Sequence, residues 1–143
     1  MIKIGKNISE WSVYSCQPKT KKELKKIIED RISKEGSNCD LNDIDVSLID
    51  DMSWLFYNSK FNGDISKWDV SKVNNIEYMF FGSEFNGKIG NWNVNNVKNM
   101  NNMFTNSNFD QDISNWKINS RCWTGDIFYI CRIRKEYKPK ALQ

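Results

Sequence analysis

Apolar positions recur along the middle of the chain with a period of 24 residues. Three rows align without gaps, beginning at Ile44, Trp68 and Trp92, and a fourth begins at Trp116 and then loses the pattern. Self-similarity at a fixed interval is typical of repeat architectures, in which each unit buries its apolar face against its neighbours. We therefore expect like side chains of successive rows to form continuous internal columns.

Within each row the apolar residues have two kinds of spacing. Steps of three, three and one place several of them on one face of a helix. In the second row these residues are Val73, Ile76, Met79 and Phe80. The stretch around Trp68 is short, rich in branched and aromatic residues, and bounded by turn residues, which favours a strand. The pattern predicts an α/β solenoid of about three stacked repeats, each with a short strand and a short helix.

Both ends of such a stack need a cap. Thr20 and Glu23 form a capping-box pattern, and apolar residues then recur at helical spacing until Gly36. This predicts an amphipathic helix over 21–34 that covers the first row. At the other end a hairpin or a helix is expected to close the fourth row. The predicted organisation is an N-terminal cap at 1–40, repeats at 41–118, and a C-terminal cap with a basic tail at 119–143.

The rows resemble the BspA-like branch of leucine-rich-repeat proteins, a bacterial family. Its repeats read W-D-V-S-x-V-x-x-M-x-x-M-F followed by F-N-x-x-I, and the second row reads WDVSKVNNIEYMFFGSEFNGKI. The resemblance covers Leu41 to Ile118. It implies a binding protein without enzymatic activity, of a kind generally found at the cell surface or secreted. With about three rows and no evident signal or anchor, this chain is expected to be a short intracellular version.

Composition narrows the class of protein further. No apolar run approaches the roughly 18 to 20 residues that cross a bilayer, and the first residues do not read as a secretory signal. We expect a cytoplasmic protein that does not bind membranes. The chain has no histidine, which removes the commonest proton-transfer group and metal ligand. An enzyme is therefore not expected.

Cysteines and clustered carboxylates are the remaining candidates for metal binding. The cysteines include no C-x-x-C pair, which favours packed, reduced thiols: Cys16, Cys39, Cys122 and Cys131. An acidic cluster around the start of the first row lacks the spacing of a calcium loop: Asp40, Asp43, Asp45, Asp50 and Asp51. We expect ordinary surface charge there, and no metal or cofactor.

Aromatic residues occupy the positions that a helix would point away from the core. At about 100° per residue, positions 54 and 57 lie on the exposed side. These positions hold Trp54 and Tyr57 in the first row and Tyr78 and Phe81 in the second; the third row has Asn102 and Thr105. The four aromatics either form a partner-binding surface or pack on the N-terminal helix and between helices.

A second candidate surface lies along the predicted strands. Trp68, Trp92 and Trp116 share a column that favours packing over a carbohydrate- or base-stacking role. Polar residues beside them are expected to face outward, as a surface that a partner contacts or as a solvated face. They are Lys67, Asp69, Asn91 and Asn93.

Charge is unevenly distributed. The net charge is +3 over residues 1–40, −4 over 41–118 and +4 over 119–143, which sums to +3. The basic tail is a candidate for contact with nucleic acid or an acidic protein groove, or else a solvated cap. Its candidate residues are Arg132, Arg134, Lys135 and Lys138.

These observations predict a non-catalytic protein-interaction module. It acts by binding or occluding a larger protein or ribonucleoprotein, and is a monomer when free. A sharper hypothesis is a phage or mobile-element inhibitor of a bacterial defence nuclease of the CRISPR type. Direct nucleic-acid contact is not favoured. The alternatives are a nucleic-acid-binding protein that uses its basic ends and a fragment of an exported adhesin.

Overall fold

One α-helix precedes the repeat rows in the computed structural model, which describes residues 14–143. Helix α1 spans Lys21–Glu35 and begins after Thr20, whose side chain accepts a hydrogen bond from the Glu23 N–H at 3.1 Å. It ends at Gly36, whose φ of 94° is a left-handed conformation that glycine adopts readily. The predicted N-terminal helix is therefore confirmed. Two 3₁₀ turns, Lys135–Tyr137 and Lys140–Leu142, lie near the C-terminus.

The rows themselves contain neither helices nor strands among the described residues. The β-bridges between neighbouring segments are isolated and parallel, and they do not extend into strands. The predicted α/β solenoid, with a strand and a helix in each repeat, is wrong, and so is the description of the chain as a leucine-rich-repeat-like solenoid. The five bridges are Cys16 with Ile44, Asp40 with Asp64, Asp51 with Asn75, Asn75 with Asn99, and Asn99 with Trp123.

Consecutive β-turns occupy the segments where helices were predicted. In the second row the N–H groups of Met79, Phe81 and Ser83 donate to carbonyls three residues earlier, at 3.1–3.3 Å. Tyr78 and Gly82 have φ values of 55° and 63°, as the third residue of a type II turn requires. Because a left-handed residue recurs every four positions, no α-helix can continue through the segment. Turns of this length also bring residues three and four apart to one side, which explains the misleading helical spacing.

Hydrogen bonds between rows are made by backbone N–H and carbonyl groups that do not bond within the turns. The N–H of Met52 donates to the Asn75 carbonyl at 2.9 Å, and Ile76 and Met100 repeat the contact one and two rows later. In an α-helix these N–H groups would be satisfied within the segment. The pairing continues as far as Asn106, whose N–H donates to the Tyr129 carbonyl at 2.8 Å. A fourth coil therefore follows the third.

Like side chains form columns through the interior, as the repeat predicted. Phe56, Phe80 and Phe104 stack with ring centroids 5.5 and 5.6 Å apart and planes within 5° of parallel. A second phenylalanine column runs beside the first, with separations of 6.0 and 6.3 Å: Phe61, Phe85 and Phe109. All six rings are fully or almost fully buried. Burial of this apolar area is the main stabilising contribution to the stack.

Different structures cover the two ends. Helix α1 buries Leu24 and Ile28 against the first coil. At the other end the Ile113 N–H donates to the Tyr137 carbonyl at 3.0 Å, and Pro139 is buried, so the tail packs against the third coil. In the described part of the chain, no helix has the length and apolar character needed to cross a membrane.

Candidate interaction surface

Four aromatic rings form a continuous surface over the first two coils. This aromatic patch consists of Trp54, Tyr57, Tyr78 and Phe81. Trp54 stacks on Tyr78 at 4.2 Å with planes 12° apart, and Tyr57 stacks on Phe81 at 5.1 Å. Within each coil the two rings are tilted, at 4.8 Å in the first and 5.4 Å in the second. The patch is thus a two-by-two arrangement of mutually supporting rings.

The patch faces solvent most openly in the first coil. Trp54 is 41% exposed and Tyr57 40%, whereas Tyr78 and Phe81 are half-buried. Each of the four rings contacts two other rings of the patch. The structure therefore brings together the four aromatics that the sequence singled out. Whether a partner binds them stays a prediction.

The backbone beneath the patch is strained. Trp54 and Tyr78 have φ values of 64° and 55°. A left-handed conformation costs a residue with a Cβ about 1–2 kcal/mol, and only glycine and occasionally Asn or Asp adopt it routinely. The third and fourth coils place Asn102 and Asp126 at the same position, with φ values of 57° and 52°. The fold therefore accepts a small polar residue where the first two coils carry large aromatics.

The patch ends at the third coil. The Thr105 hydroxyl donates to the Asp126 carbonyl at 2.6 Å and accepts from the Asn102 side chain at 3.1 Å. These bonds bury Thr105 to 6% exposure, so the expectation that this position is exposed is wrong in the third coil. A threonine hydroxyl, unlike an aromatic ring, can reach a backbone carbonyl of the next coil.

The predicted polar surface is exposed, but part of it serves the turns. Lys67, Asp69, Asn91 and Asn93 are all exposed. The side-chain oxygens of Asp69 and Asn93 each accept a backbone N–H two residues ahead at 3.0 Å. Such Asx-turns explain why these two positions are Asp or Asn. Lys67 and Asn91 remain candidates for partner contact.

The tryptophan column is structural. Each indole N–H donates to a backbone carbonyl 27 residues earlier: Trp68 to Leu41 at 2.9 Å, Trp92 to Ile65 at 3.2 Å, and Trp116 to Ile89 at 3.0 Å. All three side chains are 4–5% exposed, so their faces are not available as a stacking platform. The sequence predicted the packing but gave no sign of the hydrogen bond.

Two basic-tail residues are engaged within the chain. Arg134 donates to the Asp110 carboxylate at 2.9 Å, which lowers the pKa of that carboxyl, and its guanidinium lies 4.6 Å from the Tyr137 ring centre. The Lys138 ammonium lies 5.3 Å from the Phe128 ring centre. Arg132 and Lys135 are exposed. Two of the four predicted basic-site residues therefore make contacts within the chain, Arg134 with the third coil and Lys138 with the fourth.

The acidic cluster of the first coil stabilises turns and the N-terminal cap. Asp45 and Asp51 accept backbone N–H groups two residues ahead at 3.0 and 2.8 Å. Asp43 accepts two hydrogen bonds from Arg31, at 3.0 and 2.9 Å, and one from the Ser15 hydroxyl. Burial raises the pKa of Asp43, but Ser15 and Arg31 outweigh it, so the net pKa is lowered. Sequence reasoning missed the role of Arg31, which has no counterpart in the repeats.

Groups suited to metal or redox chemistry are not assembled in the described residues. No cluster of three or more potential metal ligands occurs within 14–143. All four cysteines, which lie in this part of the chain, are free thiols. Burial raises the pKa of Cys39 and of Cys122, which disfavours the reactive thiolate form.

The described residues define a repeat protein whose turn-built coils pair through their backbones at a fixed interval of 24 residues. The chain belongs to the family described as Mycoplasma protein of unknown function, DUF285, whose model matches residues 22–137. This is a BspA-like repeat family in Mycoplasma, so the resemblance seen in the sequence is confirmed at that level. No curated protein and no solved structure matches the chain. None of these findings supports the inhibitor hypothesis.

Proposed function

We propose that this chain is a non-catalytic protein-binding module whose aromatic patch contacts a larger protein or ribonucleoprotein. The observation that carries the proposal is the strained, solvent-facing pair Trp54 and Tyr78, which stack at 4.2 Å on left-handed backbone. In this proposal it is a short, intracellular member of its family. Four free cysteine thiols suit a reducing compartment.

The strain argues against a purely structural role for the two aromatics. The third and fourth coils keep the same turn with Asn102 and Asp126, so the fold does not require a ring at this position. Residues held in sparsely populated conformations cluster at binding and catalytic sites. At this turn position the first two coils bear a conformational cost that the last two reduce with Asn102 and Asp126, which supports a selected function for the rings.

The chemistry of the patch suits protein recognition. Trp and Tyr are enriched among the residues that dominate binding energies, because they bury a large rigid area at low entropic cost. The patch is already ordered by stacking, so binding immobilises few additional side chains. A partner would cover the ring edges that now face water.

The decisive variant replaces Trp54 and Tyr78 together by asparagine, the residue that the third coil uses at this turn. Asparagine tolerates the left-handed backbone, so the fold should survive. We expect affinity capture from native-host lysate, read by mass spectrometry, to lose the partner by about tenfold or more, as for a binding hot spot. Treating a parallel lysate with nuclease shows whether the partner is a ribonucleoprotein.

The matched control is Trp123→Asn, which removes a 66% exposed tryptophan outside the patch. It should capture the same partner at wild-type level. Circular dichroism and thermal unfolding of both variants verify that the coils are intact. If the Trp54→Asn/Tyr78→Asn protein is folded and still captures the partner at wild-type level, the aromatic patch is not the binding site.

A further inference from the structure

The aromatic patch carries hydrogen-bond donors that the chain itself does not use. They are the indole N–H of Trp54 and the hydroxyl groups of Tyr57 and Tyr78. Within residues 14–143 none of these three groups has a hydrogen-bond partner. The interior tryptophan column differs, because each of its indole N–H groups donates to a carbonyl at 2.9–3.2 Å. Free donors are therefore a property of the patch, and not of every large aromatic side chain in this fold.

The donors of the patch reach the surface. Trp54 and Tyr57 are exposed, and Tyr78 is half-buried. In the described part of the chain, no buried or half-buried residue has a fully buried side-chain nitrogen or oxygen without a partner, so the Tyr78 hydroxyl is open to water. Tyr O–H and Trp N–H groups are usually hydrogen-bonded wherever they become buried. A partner that covers the patch must therefore supply hydrogen-bond acceptors.

The backbone beneath the patch adds no donors of its own. The N–H groups of residues 54–58 and 78–82 all donate to carbonyls within the chain, at 2.7–3.3 Å. A partner strand that joins a sheet edge is held by main-chain hydrogen bonds from both chains. The patch lacks the backbone donors that strand addition requires. Its side chains therefore have to make the polar contacts with a partner.

Stacking within the patch limits which apolar groups can bind it. Trp54 lies on Tyr78 at 4.2 Å and Tyr57 on Phe81 at 5.1 Å, so one face of each ring is covered by another ring. Nucleic-acid bases bind aromatic side chains by stacking on an open ring face. The patch offers ring edges and polar tips in addition to its remaining faces, which favours a partner that packs across several rings at once.

An extended proline-rich segment has the complementary chemistry. Proline has no backbone N–H, so a run of prolines presents carbonyl acceptors without donors. Such a run adopts the polyproline II helix, whose carbonyls are not bonded internally and whose side chains are apolar rings. One turn of this helix contains three residues and rises about 9 Å, which is comparable to a patch two rings wide in each direction. The segment is extended before it binds, so little conformational entropy is lost.

From the three free donors we infer that the partner segment bound by the aromatic patch is a proline-rich stretch in the polyproline II conformation. The inference rests on the proposed function and names the chemistry of its partner. Trp54, Tyr57 and Tyr78 donate to carbonyls of the segment, and the rings of the patch pack against its pyrrolidine rings. The side chains of the patch carry no charge, so binding should depend only weakly on salt.

Decaproline is the probe that tests the inference, and a Gly-Ser peptide of the same length is the control. Binding to the whole chain is followed by tryptophan fluorescence and by NMR shifts of the isotope-labelled protein. We expect decaproline to bind about tenfold or more tightly than the control, because the flexible control peptide loses more conformational freedom on binding. The largest shifts should come from the Trp54 indole and from the first two coils.

The hydroxyl groups are tested by Tyr57→Phe/Tyr78→Phe, which keeps both rings and their stacking. One hydrogen bond changes affinity by a factor of about two to ten, so this variant should bind decaproline about tenfold more weakly. Tyr129→Phe is the matched control, because Tyr129 is 59% exposed in the fourth coil and lies outside the patch. It should bind as the wild type does. Thermal unfolding should be the same for all three proteins.

Two results with the peptides would overturn the inference. One is decaproline binding that is no tighter than that of the Gly-Ser peptide, or that is unchanged when the two hydroxyls are removed. The other is tighter binding of a glutamate decapeptide or of a single-stranded oligonucleotide, which would assign the donors to an anionic partner.

Capture from lysate separates failure of this inference from failure of the proposed function. Decaproline that displaces the captured partner supports both. A partner that is lost from the Trp54→Asn/Tyr78→Asn protein but is not displaced by decaproline overturns the inference and leaves the proposed function standing. Capture that survives in the folded Trp54→Asn/Tyr78→Asn protein overturns both.

Discussion

The first two coils and the last two share a backbone but differ in what they show to solvent. Trp54, Tyr78, Asn102 and Asp126 occupy one turn position, and their φ values lie between 52° and 64°. In the first two coils this position carries a stacked aromatic pair. In the third it carries an amide that bonds Thr105 at 3.1 Å. One turn geometry therefore supports two kinds of surface.

The comparison separates what the fold needs from what it tolerates. Phenylalanines of the internal column recur in all four coils, and Phe104 and Phe128 still stack at 5.9 Å. The indole N–H bonds likewise recur from coil to coil. The stacked pairs of outward aromatics stop after the second coil: the third has Asn102 and Thr105 at these positions, and the fourth has Asp126 and a single exposed ring, Tyr129. Interior columns and backbone pairing thus maintain the stack, while the outward positions are free to vary with function.

The largest expected loss of stability comes from a substitution in the internal phenylalanine column, which all four coils share. Phe80 is fully buried between Phe56 and Phe104, at 5.5 and 5.6 Å. Phe80→Ala leaves a cavity in the middle of the column and should lower the free energy of unfolding by about 3–5 kcal/mol. Urea unfolding followed by circular dichroism measures the loss.

Tyr78→Ala is the outward counterpart in the same coil. It removes a half-buried ring from a left-handed position and should cost far less than Phe80→Ala. An equal loss of stability in the two variants would show that the patch is part of the structural core.

Two arginine ion pairs, one in the N-terminal cap and one in the C-terminal tail, should have smaller and unequal effects on stability. Arg31 holds the first coil through Asp43, whereas Arg134, which is more exposed, holds the third through Asp110. Arg31→Met should lower the free energy of unfolding by about 1–2 kcal/mol, below the value for a buried pair because the Asp43 side chain is 37% exposed. Arg134→Met should change stability less. Thermal unfolding of both proteins at neutral pH compares them.

The Arg31 effect should depend on pH in a defined direction. The pKa of Asp43 is lower in the folded chain than its ordinary value, so the unfolded chain binds more protons as pH falls. The stabilisation is present above about pH 4 and is lost below it, where the carboxylate becomes protonated. The stability difference between wild type and Arg31→Met should therefore shrink in acid. A difference that is constant from pH 7 to about pH 3 would exclude the ion pair as its cause.

Sequence alone predicted the period, the internal columns and helix α1. The columns follow from identical spacing in successive rows, and α1 follows from Thr20, Glu23 and Gly36, whose capping roles are local. Local signals of this kind do not depend on the neighbouring coil, so the sequence specifies them directly.

The predicted helices failed because their apolar spacing had two interpretations. Ile76, Met79 and Phe80 lie on one side both in a helix and in successive type II turns. The distinguishing signal was the recurrence of Asn and Gly, at Asn58 and Gly82, where the backbone is left-handed. At the left-handed position four residues earlier, the first two coils have Trp54 and Tyr78 in place of Asn or Gly, so the signal is absent there. The aromatic patch was nevertheless predicted, because those positions point outward in either conformation.

The smallest effect on stability is expected when the aromatic patch of the first two coils is extended onto the third coil. Asn102→Tyr/Thr105→Phe places rings beside Tyr78 and Phe81 at a backbone that already has φ 57°. Left-handed strain and the loss of the Thr105 bond to the Asp126 carbonyl together cost about 2 kcal/mol, and new stacking recovers about 1 kcal/mol. The net loss in the free energy of unfolding, measured in urea, should be about 1 kcal/mol. Restoring Thr105 alone should recover the part that is due to its hydroxyl. A loss as large as that of Phe80→Ala would mean that the third coil cannot carry the surface of the second, and that their shared backbone conceals a difference in packing.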